Sequence, residues 1–293
     1  METINQQLDG LFGRWEGYLK KLLSDKDKNN KFCRDGLIYK YKKEWGFKQE
    51  APTLSGNEVD MSVNDAWLAA PIKVAFLLKD KPDKSGGDVR QWLLYETPDG
   101  ECSRELAGGK VGRTQFLPTL ARVLYGLNFS SKNHFVSFAE VSGENMNNVR
   151  EVWLSQKYPI ALVETKKIAG ISKVAAEEVK QALDRDEEYL REELRILNPN
   201  IYVCTHGSIF KFVQDYLKAE YKDPEGKCFI RIPNAQKKNG YEESIILHEP
   251  SKSVILLGYH PSYYFLSPEG RYMSYMDHYR AFVQSEYFPN FFK

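Results

Sequence analysis

Along the first part of the chain the apolar residues recur at helical spacing, and further on they gather into short, nearly continuous runs. Ile4, Leu8, Leu11, Phe12, Trp15, Leu19, Leu22 and Leu23 share one helical face, which predicts an amphipathic helix over 4–23. A polar, lysine-rich turn follows over 24–31. Residues 32–60 mix aromatics with Lys40, Lys42, Lys43, Pro52 and Gly56, a pattern that assigns no element. Four apolar runs then stand out, at 72–78, 160–163, 201–204 and 254–257, each with the character of a strand buried on both faces. Helical patterns lie between them: 113–126, with Pro118 near a bend or start, 146–156, 172–197 closed by Pro199, and 207–218.

Strands alternating with helices predict a parallel sheet covered on both faces. The expected architecture is α/β, three layers in the order α/β/α, around a central, mainly parallel four-stranded sheet. That domain spans 61–293, and 1–60 forms a helical and irregular N-terminal extension. The segments 244–248 and 254–257 also fit a hairpin, which would make one strand pair antiparallel. In such sheets ligands bind beyond the carboxyl ends of the strands.

Composition narrows the class. Of 293 residues, 42% are hydrophobic and 28% charged, the range of an ordinary folded globule. No apolar run approaches the roughly 20 residues of a membrane-spanning helix, and the N-terminus lacks the basic start and apolar stretch of a secretory signal. Cys33, Cys102, Cys204 and Cys228 are scattered without a Cys-x-x-Cys pair, so no disulfide framework, zinc site or iron–sulfur cluster has its spacing. Free thiols in a cytoplasmic protein, with no metal and no cofactor, are the expectation. A net charge of +1 argues neither for nor against nucleic acid, because a local basic patch suffices for a short contact. Residues 225–240, with Lys227, Arg231, Lys237 and Lys238, read as an exposed basic loop.

Each predicted strand ends in polar chemistry. After the first come Lys79-Asp80, then Gly86-Gly87, then Asp88 and Arg90. Paired glycines let backbone amides approach a phosphate, and a helix starting at Asp88 favours an anion. The plainer alternative is a solvated loop with Asp88 as helix cap. After the second lies Glu164-Thr165-Lys166-Lys167, and after the third Thr205-His206-Gly207. After the fourth comes Gly258-Tyr259-His260-Pro261-Ser262-Tyr263-Tyr264-Phe265, whose rings either stack on nucleic acid or pack the loop onto the core.

Asp80 closing a first apolar strand, Tyr202-Val203-Cys204-Thr205-His206-Gly207 after Pro199, and Gly258-Tyr259-His260-Pro261-Ser262 after a last strand resemble the uracil-DNA glycosylase superfamily. The likeness covers roughly 72–267. In that superfamily an acid or amide follows the first strand and a His-Pro-Ser loop the last. Two departures stand out. Lys81 separates Asp80 from Pro82, which well-known members place next to each other. Glu164 stands where many members carry an asparagine that reads the uracil edge.

The resemblance implies a DNA glycosylase that flips a base, damaged or modified, out of single- or double-stranded DNA and hydrolyses its N-glycosidic bond. Asp80 would stabilise the sugar cation and orient water, and His260 would donate to the leaving base. Glu164 and His206 would contact the base. Lys79, Gly86, Gly87, Arg90, Lys166 and Ser262 would hold phosphates, with Tyr263 or Tyr264 filling the vacated stack. An ionised Glu164 only accepts hydrogen bonds, so it suits a base presenting an amino group; otherwise it pairs with Lys166 or Lys167. A lyase variant would use Lys79 or Lys81 as a Schiff base. The expected protein is a monomer. The alternative is a catalytically inactive protein of this fold that binds nucleic acid or a nucleotide, in repair or in phage defence.

Overall fold

The computed structural model describes residues 2–22, 32–40, 57–80, 87–91, 116–168, 175–232, 244–263, 265–288 and 290–292. In chain order the main elements begin with α1 (Ile4–Leu22), β1 (Cys33–Arg34), β2 (Gly36–Leu37), α2 (Asn57–Ala69), β3 (Val74–Asp80) and β4 (Gly87–Asp88). There follow α3 (Phe116–Phe129), α4 (Met146–Leu154), β5 (Ile160–Lys166), α5 (Ala176–Arg185), α6 (Glu187–Leu197) and β6 (Ile201–Cys204). The last are α7 (Gly207–Glu220), β7 (Phe229–Arg231), β8 (Ile245–His248), β9 (Ser253–Leu257) and α8 (Pro268–Gln284).

The four apolar runs lie together as β5-β3-β6-β9, every neighbouring pair parallel. The sheet is nevertheless seven-stranded, not four-stranded, in the order β2-β5-β3-β6-β9-β8-β7. Its added margins are antiparallel: β2 on β5, and β8 and β7 beyond β9. The hairpin alternative for 244–257 holds, with Ile246 opposite Ile255 and Lys252 at φ +50° in the turn. The margins β2 and β7, of two and three residues, carry too few positions to leave an apolar run of their own.

Strand alternation divides the interior into two cores. Val74, Phe76 and Leu78 face one, with apolar residues of α3, α4 and α8. Ala75 and Leu77 face the other, with residues of α1, α2, α5, α6 and α7. The stretch 172–197 is not one helix: α5 and α6 meet at Asp186, a buried carboxylate held by the Arg185 guanidinium at 2.5–2.7 Å. The break lets both helices turn an apolar face to the same core. Asn198, at φ +44°, caps α6 in the left-handed region before Pro199.

The N-terminal segment is built into this domain. Residues 32–38 run antiparallel along β5, from the Phe32–Ile168 bridge to the Ile38 N–H bond to the Ile160 carbonyl. Gly36 has φ +125°, and a Cβ there would lie 2.4 Å from Leu8, so both backbone and space demand glycine. Asp35, between β1 and β2, is fully buried and pairs with Lys167 at 2.5 Å; Lys167 also meets Glu193 at 2.9 Å. The Phe12 and Trp15 rings each lie 5.1 Å from the Lys167 ammonium. Burial works against its charge, but Asp35 and Glu193 more than restore it and leave the lysine at about 12. Among the described residues no helix is long and apolar enough to cross a membrane.

Candidate functional site

The carboxyl ends of β5, β3, β6 and β9 lie side by side. Leu78 is opposite Glu164, Asp80 opposite Lys166, and Cys204 opposite Leu257. Threonines from both flanking strands pin the end of β3. Thr165 Oγ1 donates to the Leu78 carbonyl at 2.8 Å, and Thr205 Oγ1 to the Leu77 carbonyl at 2.9 Å. This rim brings together the backbone of Asp80 with Lys79, Glu164, Lys166, His206 and His260. Parallel strands that end in register deliver whatever follows them to one edge.

The loop after β9 is held from beneath by α8 and α3. Gly258 lies so close to Tyr275 that a Cβ would stand 2.2 Å from its ring. The Tyr259 N–H donates to Ser274 Oγ at 3.3 Å, and the Tyr275 hydroxyl donates to the Tyr259 carbonyl. Thr119 Oγ1 donates to the Pro261 carbonyl at 3.3 Å. The buried Arg271 guanidinium donates to the Tyr263 carbonyl at 2.9 Å and also to that of Leu266. None of these holders carries a spacing signal, since each acts across a distance in sequence that periodicity does not report.

Within this loop Ser262 N–H donates to His260 Nδ1 at 3.2 Å. A ring nitrogen that accepts cannot carry the proton, so the neutral imidazole holds it on Nε2. Burial, and then the Lys79 ammonium, push the His260 pKa down to about 4, so the ring is neutral at pH 7. Phe116 lies against it, with ring centroids 6.0 Å apart. His206 caps α7 in the same manner, its Nδ1 accepting the Ser208 N–H at 3.2 Å. Partial burial and Lys79 lower its pKa as well.

Glu164 is 1% exposed, on the β5 face that also carries Ile160 and Leu162, the side of α3 and α8. Its N–H donates to Asp35 Oδ2 at 2.6 Å, which ties the end of β5 to the N-terminal segment. Lys167, the expected alternative partner of Glu164, goes instead to Asp35 and Glu193. The cause is strand parity: Lys167 follows β5 three positions after Glu164 and faces the other core, among Phe12 and Trp15.

The expected phosphate set divides. Ser262 and Tyr263 are exposed, and Lys166 is half-buried at the rim. Tyr263 stacks on Tyr259, centroids 5.0 Å apart and planes 5° from parallel, while Phe265, 70% exposed, projects beyond it. Arg90 leaves the set. It is 2% exposed, and its guanidinium holds Asp88 at 2.5 Å, Asp9 at 2.9 Å and the Asn5 carbonyl at 3.3 Å. A guanidinium shut from solvent and already holding two carboxylates is not open to a phosphate. The helix expected from Asp88 is a β4 strand residue followed by one 3₁₀ turn, Val89–Gln91. Gly87 pairs through its backbone with Cys33 in a second, two-stranded sheet. Gly86, Lys81 and Tyr264 lie outside the described residues, as does 233–240 of the expected basic loop; Lys227 pairs with Glu225 at 2.6 Å.

The rim therefore combines two neutral imidazoles that donate through Nε2, one ammonium nearby, a flat apolar wall at Phe116 and a buried carboxylate at Glu164. Among the described residues no cluster of three or more His, Cys, Asp or Glu side chains is placed to hold a metal ion. No protein-family model matches the chain, and no match to it is found among curated proteins.

Proposed function

We propose that this chain is a DNA glycosylase-like protein that receives a flipped base at the carboxyl rim of its sheet and hydrolyses the N-glycosidic bond. One observation carries the reading: His260 is held as a neutral Nε2–H donor, by Ser262 on one side of the ring and by burial beside Lys79. Breaking the bond puts positive charge on the sugar and negative charge on the departing base. A fixed neutral donor strengthens its bond as the base becomes an anion, and gains nothing comparable before that. Asp80, whose backbone closes β3 on the same rim, would supply the opposite charge to the sugar cation. Phe116 offers a face for stacking, and the aromatic loop carrying Phe265 offers a ring to the gap left in the duplex.

Uracil is disfavoured by Glu164, whose carboxylate would repel an oxygen at the edge where an asparagine would bond. A base offering an amino group there fits better. The test is to incubate the protein with DNAs, single- and double-stranded, carrying a broad panel of bases and to measure abasic sites. Excision of at least one amino-bearing base is the expected result. Binding without abasic sites on the whole panel would replace this reading with that of a nucleic-acid-binding protein of the same fold.

A further inference from the structure

The ends of β6 and β9 carry the same short device. In His206-Gly207-Ser208 and in His260-Pro261-Ser262 the serine two residues on donates its N–H to the histidine Nδ1, at 3.2 Å in both. Each neutral ring thus offers one donor, Nε2–H, and no acceptor. The two strands are neighbours in the sheet, Cys204 opposite Leu257, and the Gly258 N–H reaches the Cys204 carbonyl at 3.0 Å. Both rings lie within reach of the charge on Lys79, which extends from β3, the next strand over.

Helix capping alone does not account for His206. A cap needs only an acceptor, which serine, threonine, aspartate or asparagine supplies more simply. Imidazole adds a donor on the opposite side of the ring. Two such donors on adjacent strand ends, with a cation nearby, suit a ligand edge rich in acceptors and suit a donor edge poorly.

We infer that His206 is a second substrate-contacting donor, which with His260 forms a two-donor receptor for an oxo-substituted base presenting two acceptors on one edge. The inference rests on the reading of this rim as a base-receiving site, and it adds the edge that is recognised. A base with two acceptors towards the histidines and an amino group towards Glu164 meets both requirements. In the reaction, the pair electrons of the broken glycosidic bond pass to the base, and both Nε2–H groups stabilise that anion without giving up their protons. Water supplies the hydroxyl taken by the sugar and the proton taken by the base.

The test uses the full chain and two substitutions. His206→Ser keeps an acceptor for the Ser208 N–H but removes the distal donor. His206→Gln restores an N–H donor of similar reach. On the best substrate of the base panel, single-turnover excision should fall roughly 10- to 100-fold in His206→Ser, the loss of one hydrogen bond to a charged group. The unfolding midpoint should stay at the wild-type value, and His206→Gln should recover part of the rate. An excision rate in His206→Ser equal to that of wild type would overturn the inference. A second measurement separates its failure from that of the glycosylase reading. Imidazole nitrogen NMR of the wild-type chain should show both histidines as Nε2–H tautomers, and free cytosine or guanine should shift both Nε2–H signals together. If no base is excised but both signals respond, the receptor stands and the glycosylase reading falls. If His260 responds alone, or neither histidine responds, the inference is overturned whether or not excision occurs.

Discussion

Two clusters of ionisable side chains, one beside the end of β5 and one at the ends of β3, β6 and β9, are built on opposite rules. Asp35, Lys167 and Glu193 are wholly buried, and every charge has a partner within 3.0 Å. At the rim, His206, His260 and Lys79 put two donors and a cation together, and each ring is tied through Nδ1. In the buried cluster Lys167 stays an ammonium although burial opposes it, while burial, and then Asp35, push the Glu193 carboxyl well above the usual carboxylate range. The rim holds both imidazoles neutral. Perturbed titration occurs in both places, so it does not by itself mark a site. Complementarity does. Where charges satisfy one another out of solvent, the product is structure; where donors converge at a rim, the acceptors of a ligand would complete the arrangement.

The contrast is sharpest under mutation. Lys167→Ala leaves the Asp35 and Glu193 carboxyl groups buried against each other without their cation, and should cost about 3–5 kcal/mol of stability. Urea unfolding measures it. Replacing Asp35, Lys167 and Glu193 together with apolar residues of similar volume should return most of that loss; if the triple variant is as unstable as the single one, the cluster is not a balanced structural unit. Next in size is the rim, where the effect should fall on rate. Asp80→Asn or His260→Ala should slow excision by about 2.7–4 kcal/mol, roughly 100- to 1,000-fold, with substrate binding largely kept. The double variant should lose less than the sum, since both groups stabilise one separated charge pair.

The pH dependence follows from His260. Its folded pKa is about 4, below the ordinary 6.5, so between those values the unfolded chain binds more protons. Its contribution is therefore complete above pH 6.5, is lost as pH falls to about 4, and is constant below. The size is roughly 3 kcal/mol at one pKa unit per 1.36 kcal/mol. Unfolding free energies of wild type and His260→Gln, compared from pH 7 to pH 4, should converge by that amount. The acid limb of excision assigned to this ring should likewise lie near pH 4 rather than 6.5. The smallest expected effect is one of selectivity. Glu164→Asn should raise excision of uracil relative to an amino-bearing base by about 1–3 kcal/mol. An unchanged ratio would place Glu164 with the structural cluster that its own N–H joins through Asp35.

Much of this frame was legible without coordinates. The four central strands are buried on both faces and so spell nearly continuous apolar runs, and helices between them force parallel pairing. Parallel strands deliver their following residues to one edge, which is why Asp80, Glu164, His206 and His260 were candidates together before any geometry was known. The His-x-Ser repetition also stands in the sequence, at 206–208 and 260–262, but its meaning depends on two hydrogen bonds from backbone N–H groups.

Other features were decided only in three dimensions. Arg90 follows a Gly-Gly step and reads as a phosphate ligand, yet its fate rests on Asp9, 81 residues earlier. Lys167 reads as part of an exposed Glu-Thr-Lys-Lys turn, but β5 continues to Lys166, and the next side chain enters the core between Phe12 and Trp15. Sequence periodicity reports which face of an element meets apolar surroundings, because burial acts on each residue separately and repeats with the backbone. It carries no record of which distant side chain completes a charge. Pairing across the sheet, the supports that Arg271, Ser274 and Tyr275 give to the His260 loop, and the choice between buried ion cluster and open rim are properties of the assembled chain, because each depends on two segments brought within a few ångströms by the fold alone.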